Sequence, residues 1–98
     1  MTTIDDLADD FLKCKLVGHM WDDFIPMRKK PQFGELQGWL CVRCTTERHD
    51  IVSWVNGDLI SREYRYPEGY HLSEKYKRHD FRLTYLQRKH PVKAKKYA

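Results

Sequence analysis

The chain has 98 residues, 41% hydrophobic and 33% charged, which describes one small domain with a thin core rather than a disordered chain. No apolar run reaches the length of a membrane span, and the acidic start "MTTIDDLADDF" is the opposite of a secretory signal or transit peptide, so a cytoplasmic protein without a membrane partner is expected. The net charge of +4 is unevenly spread: six Asp face Lys13 and Lys15 in residues 1–27, residues 28–74 balance, and from residue 75 nine cations face only Asp80.

In chain order, "TIDDLADDFLKC" predicts a short helix. Thr3 can cap it, Asp5 and Asp6 suit the positive N-terminal end, and Ile4, Leu7, Phe11 and Leu12 share a face. The stretch from Trp21 to Gly38, with two prolines and two glycines, predicts a loop holding at most a short strand. "GWLCVRC" then reads as a strand running into a tight turn. Asn56-Gly57, between two β-rich runs, predicts a two-residue type I′ hairpin that sets Trp54 opposite Leu59 and His49 opposite Tyr64. On that register one face carries Ile51, Val55, Ile60, Tyr64 and Tyr66, and the other carries Val52, Trp54 and Leu59. "LSEKYKRHDFRLTYLQRKH" has helical composition, with Ser73 or Asp80 as N-cap, a stripe of Leu72, Tyr76, Leu83 and Leu86, and Pro91 as the stop. Residues 1–90 are expected to form one domain, and 91–98 a flexible basic tail.

Three cysteines cannot all pair within one chain, and in a reducing compartment clustered Cys and His point to metal. Structural zinc takes four S and N ligands, commonly as two pairs on tight turns. "CVRC" supplies Cys41 and Cys44 at knuckle spacing; "CKLVGH" supplies Cys14 and His19, with four residues between them and Gly18 allowing the turn back. Together they predict one structural Zn2+ ion in a Cys3His site, with His49 as the rival to His19. Four protein ligands fill a tetrahedron, and no nucleophile or acid–base set accompanies them, so a non-enzymatic protein without a small-molecule substrate is expected.

"CKLVGHMW", "CVRCTTER" and "SREYRYPEGY" together resemble a group of small zinc-finger-like, zinc-ribbon-like proteins of actinobacterial phages and prophages. Their pattern runs C-x-x-x-G-H-x-W, C-x-R-C-x-T-x-R and R-x-Y-x-Y-P-x-G-Y. Thr45 stands where such knuckles often have glycine. The resemblance covers about residues 14 to 86. It implies metal binding at Cys14, His19, Cys41 and Cys44, and a local role for Trp21, Arg43, Arg48, Arg62, Tyr64, Tyr66 and Tyr70. It also implies a phage protein working in the cytoplasm of a bacterial host.

The expected fold is a small α+β zinc-ribbon-like domain: a central antiparallel hairpin, three-stranded if "GWLCVRC" joins it, flanked by an N-terminal and a C-terminal helix. Two functions fit. The first is nucleic-acid (DNA) binding by the basic C-terminal segment, through Arg62, Arg65, Lys75, Lys77, Arg78, Arg82, Arg88 and Lys89. The second is a protein-interaction module that docks on a host protein through Val52, Trp54 and Leu59. That reading requires Trp54 to stand exposed instead of packing under the N-terminal helix.

Overall fold

The computed structural model describes residues 2–27 and 31–92. The chain divides into two compact units, one formed by Met1–Gly18 with Glu68–Ala98 and the other by His19–Pro67. As expected, it is α+β, with two α-helices and an antiparallel sheet among the described residues. The sheet has four strands, more than the sequence predicts. The proposed tail lies at 91–98, and of it residues 93–98 fall outside the described residues.

In the first unit a 3-10 turn, Ile4–Asp6, precedes helix α1, Asp9–Val17. The single helix expected from Thr3 is therefore broken at Leu7 and Ala8. Arg88 explains the break. Its guanidinium donates to the carbonyls of Ile4 (3.3 Å) and Asp5 (3.1 Å), which a continuous helix would spend on the amides of Ala8 and Asp9. The same side chain reaches the Asp9 carboxylate at 2.7 Å. Freed from the helix, Leu7 turns inward and is buried with Ile4 and Leu12. Phe11 packs on buried Tyr70, with 5.5 Å between ring centroids, and Lys15 lies 4.0 Å over the Tyr70 ring. Nearby, Thr2 forms an isolated parallel bridge to Leu72.

Helix α2, Arg78–Lys89, does not use either predicted cap. Lys77 is the N-cap residue, and Asp80 acts from the third helical position by accepting the Lys77 N–H at 2.8 Å. Its inward face also differs from the predicted stripe. Leu83 and Leu86 are half exposed, whereas Phe81, Thr84, Tyr85 and Arg88 turn inward. Thr84 is acceptable there because its hydroxyl donates to the Asp80 carbonyl.

The second unit is the sheet, β1 (Trp21–Phe24), β2 (Gly34–Cys41), β3 (Glu47–Ser53) and β4 (Leu59–Arg65), antiparallel and in sequence order. Much of the predicted loop 21–38 is thus strand. Gly38, read as a breaker, lies within β2 opposite His49, where a Cβ would meet the Phe24 carbonyl and the Pro26 ring, each at 2.5 Å. It marks close packing against the chain leaving β1.

The β3–β4 hairpin forms, one register step from the prediction: Arg48 lies opposite Tyr64, and His49 opposite Glu63. A type I′ turn needs positive φ at both Asn56 and Gly57, and only Gly57 has it (φ 75°). Instead Ser53 Oγ accepts the Val55 N–H and Asn56 Oδ1 accepts the Asp58 N–H, which widens the loop. A bulge at Ile51/Val52 takes up one extra residue. The shift redistributes the faces. Arg48, Asp50, Arg62 and Tyr64 now share one face with Trp21 and Trp39.

The Asp50 carboxylate, buried at 3% exposure, accepts hydrogen bonds there from Arg62 Nε and Nη2 (2.9 and 3.1 Å) and forms an ion pair with Arg48 Nε at 3.4 Å. The hydrogen bond to Asp50 raises the Arg62 pKa above its usual value. Arg48 in turn lies over Trp21 and Trp39, 5.1 and 5.3 Å from the ring centroids. Conventional apolar burial is scarce in this unit. Among its described residues the buried apolar side chains are Pro26, Cys41 and Cys44.

Gly38→Ala should destabilise the protein by about 1–3 kcal/mol through overpacking against Phe24 and Pro26. Denaturant unfolding checks this, and an unchanged midpoint would contradict the close packing.

Candidate metal centre

Strand β2 ends at Cys41 and the chain reverses through Val42, Arg43 and Cys44 before β3 starts at Glu47. The reversal is held by backbone bonds. Cys41 donates to the Thr46 carbonyl at 2.9 Å, Thr45 donates to the Cys41 carbonyl at 2.9 Å, and Val42 donates to the Met20 carbonyl at 3.0 Å. Thr45 takes φ 67° to complete it, an uncommon value for a β-branched residue. The turn leaves the Cys44 N–H donor 3.5 Å from Cys41 Sγ.

The other two ligands come from the end of α1 and the residues after it. Cys14 is buried in the last turns of the helix, and Gly18 caps the helix by donating to the Cys14 carbonyl. Gly18 has φ 88°, a backbone angle open to glycine. The gap between Cys14 and His19 is therefore a helix end plus its cap.

Sγ of Cys14, Cys41 and Cys44 and a ring nitrogen of His19 all lie within 4.8 Å of one another, and His19 Nδ1 is 3.2 Å from Cys44 Sγ. A tetrahedral ion with arms of about 2.0–2.3 Å separates its ligands by roughly 3.3–3.8 Å. Donors this close together are compatible with one such ion. No disulfide forms among the three cysteines. Burial pushes the Cys41 thiol up, but the amides of Cys44, Arg43 and Met20, with His19, outweigh it and bring the pKa down from 9.0 to about 6. At neutral pH Cys41 is mostly thiolate, the form that ligates metals.

The rival ligand His49 is placed elsewhere. It is buried on β3, with Nε2 3.2 Å from Glu47 Oε1 and its ring 5.8 Å from Phe24, outside the cluster. Trp21, paired with Cys41 across β1 and β2, packs on the His19 ring at 4.8 Å and on Tyr64 at 6.2 Å, and Tyr64 stacks on Tyr66. Several residues of the sequence pattern are thereby gathered on the metal side of the sheet. Tyr70 belongs to the first unit.

The eight cations assigned to nucleic acid divide. Arg62 is held by Asp50, Arg65 by Glu63, Arg78 by the Leu16 carbonyl, and Arg88 by Asp9 and the Ile4 and Asp5 carbonyls. Lys75, Lys77, Arg82 and Lys89 are exposed, Lys89 lying over the Tyr85 ring. Of the residues assigned to a partner protein, Trp54 is 66% exposed, Leu59 is half exposed and Val52 is half-buried. Ile25, Met27, Phe33 and Val55 are also exposed, in the two loops at the sheet end opposite the cysteine turn. Sequence pattern did not gather these four on a common surface, because Ile25, Met27 and Phe33 lie in a loop without periodicity and Val55 is read from the sequence as part of a strand face. It also missed Thr46, wholly buried with its hydroxyl 3.0 Å from Cys44 Sγ.

No protein-family model, curated protein or solved structure matches the chain. Among the described residues no helix is long and apolar enough to cross a membrane.

Thr45→Gly should stabilise the metal-loaded protein by up to about 1 kcal/mol, since removing the left-handed penalty outweighs the added freedom of the unfolded chain. A raised thermal midpoint with unchanged metal stoichiometry is the expected result. A lowered midpoint would show that the Thr45 side chain stabilises the turn.

Proposed function

We propose that the Cys3His cluster holds one structural Zn2+ ion and that the protein is a non-enzymatic, zinc-stabilised binding module for nucleic acid. The donor set of three sulfurs and one nitrogen is the chemistry zinc takes in closed structural sites. When bound, the ion crosslinks its ligands and leaves no open coordination position for substrate. The observation that carries the zinc reading is the composition of the sheet unit's interior, where among the described residues the buried apolar side chains are Pro26 and two of the ligands themselves. A unit so poor in apolar burial gains its stability from the metal.

The nucleic-acid reading rests on the exposed cations of the C-terminal segment. Arg82 and Lys89 are seven residues apart on α2 and share a helix face away from inward-facing Thr84, while Lys75 and Lys77 precede the helix. This surface can neutralise phosphates without reading bases. Arg78 and Arg88 serve the first unit's structure instead, one at the end of α1 and the other at the break in the N-terminal helix. On this reading the chain is a phage regulatory protein that works in the cytoplasm of a bacterial host.

A second reading is favoured by one observation, the exposure of Trp54. Together with Val55, Ile25, Met27 and Phe33 it makes a sheet end that is apolar and open. That end, beside a cleft of about 330 Å³ lined by Phe24, Pro26, Leu36 and Trp54, suits a host-protein partner.

Fluorescence anisotropy with an arbitrary-sequence duplex and single strand separates the two. The full chain should bind with an affinity that falls steeply with salt. Lys75→Gln, Lys77→Gln, Arg82→Gln and Lys89→Gln together should reduce the slope of log affinity against log salt by about 0.7–0.9 for each phosphate no longer neutralised. Binding unaffected by the four substitutions would refute the C-terminal surface, and no binding at low salt would leave the sheet end as the functional surface.

A further inference from the structure

We infer that Thr46 is a positioning residue for the metal: its hydroxyl donates to the Cys44 sulfur and its carbonyl holds the Cys41 amide, so that one residue fixes both cysteines of the turn. The inference rests on the zinc reading above and assigns a role to a side chain outside the four ligands.

Three observations carry it. Thr46 has 0% exposure, unusual for a threonine next to a surface turn, since both Thr45 and Val42 are exposed. A hydroxyl buried without a partner costs about 1–3 kcal/mol, so the site would favour Val unless the hydroxyl is used. Its oxygen lies 3.0 Å from Cys44 Sγ, well inside the range for a bond to sulfur. Either atom can donate while Cys44 is a thiol. Once Cys44 is a metal-bound thiolate it can only accept, and the threonine must be the donor. The Thr46 carbonyl meanwhile accepts the Cys41 N–H at 2.9 Å, across the base of the same turn.

The two thiolates of the turn are therefore served differently. Cys41 Sγ is served by backbone amides, that of Cys44 within the turn among them, and by His19, whereas Cys44 Sγ has, besides His19 Nδ1, the side-chain hydroxyl of Thr46. Donors of this kind orient a ligand and offset its negative charge, and removing one typically costs about 10- to 100-fold in metal affinity. Three thiolates around a divalent ion leave a net negative charge in a largely buried site. A neutral donor aimed at one sulfur offsets part of it without adding a competing ligand.

Valine matches threonine in shape but lacks the hydroxyl, and serine keeps the hydroxyl while losing the methyl group. Zinc affinity by chelator competition, and the sulfur-to-metal absorption band of the Co2+-loaded protein, should be measured for the wild type, Thr46→Val and Thr46→Ser. The expected result is a loss of zinc affinity of about 10- to 100-fold in Thr46→Val with a red-shifted cobalt band, and an affinity within about threefold of wild type in Thr46→Ser. Equal affinity and an unshifted band in Thr46→Val would overturn the inference. So would a loss in Thr46→Ser as large as that in Thr46→Val, which would assign the effect to packing of the methyl group. Failure of the wild type to bind zinc or cobalt would instead remove the zinc reading itself.

Discussion

The structure depends on the reversal from Cys41 to Thr46. Within six residues the chain leaves β2, places two sulfurs beside each other and enters β3, held by the bond between the Cys41 amide and the Thr46 carbonyl. Thr45 accepts an unfavourable backbone angle to make this possible. The cost is offset where two strands, two ligands and a buried hydroxyl are all set by the same turn. β1 is aligned to it as well, because Trp21 pairs with Cys41 and the Met20 carbonyl accepts the Val42 amide.

The sheet beyond the turn is organised by polar and aromatic contacts more than by apolar packing. Asp50 is the clearest case. A buried carboxylate is costly alone, and here Arg62 and Arg48 compensate it, with Arg48 also lying over two indole rings. Such a network fixes register, because a one-residue slip would carry Asp50 to the opposite face. It fixes register more than it adds stability, and on the zinc reading a metal at the cysteine end would supply what the scarce apolar burial of this unit does not. The first unit follows a more ordinary rule, with Ile4, Leu7, Leu12 and Tyr70 buried and Arg88 bonding the chain where its N-terminal helix breaks.

Much of this was legible in the sequence, and the misses have physical causes. The cluster of Cys14, His19, Cys41 and Cys44 could be read because ligand chemistry demands particular residues at close spacing. The α+β class and the hairpin followed from β-rich runs around Asn56-Gly57. The register did not, because Ser53 and Asn56 spend their side chains on the loop backbone in competition with the tighter turn. β1 and much of β2 were hidden by glycine and proline, which signal a break and a close approach with the same letters. The inward face of α2 was misread since Thr84 and Arg88 look like solvent residues until their partners, the Asp80 carbonyl and those of Ile4 and Asp5, are known. Long-range partners of polar groups are what a single sequence conceals.

If one zinc ion at the Cys3His cluster holds the fold together, removing it should unfold the sheet unit. Native mass spectrometry of the full chain, before and after a strong chelator and with near-ultraviolet circular dichroism on the same samples, puts this to the test. One zinc per chain is expected, with loss of the aromatic signal on chelation and its return when one equivalent of zinc is restored. A chain that binds no zinc, or that keeps its aromatic signal and cooperative unfolding with the metal removed, would show that the fold stands without it.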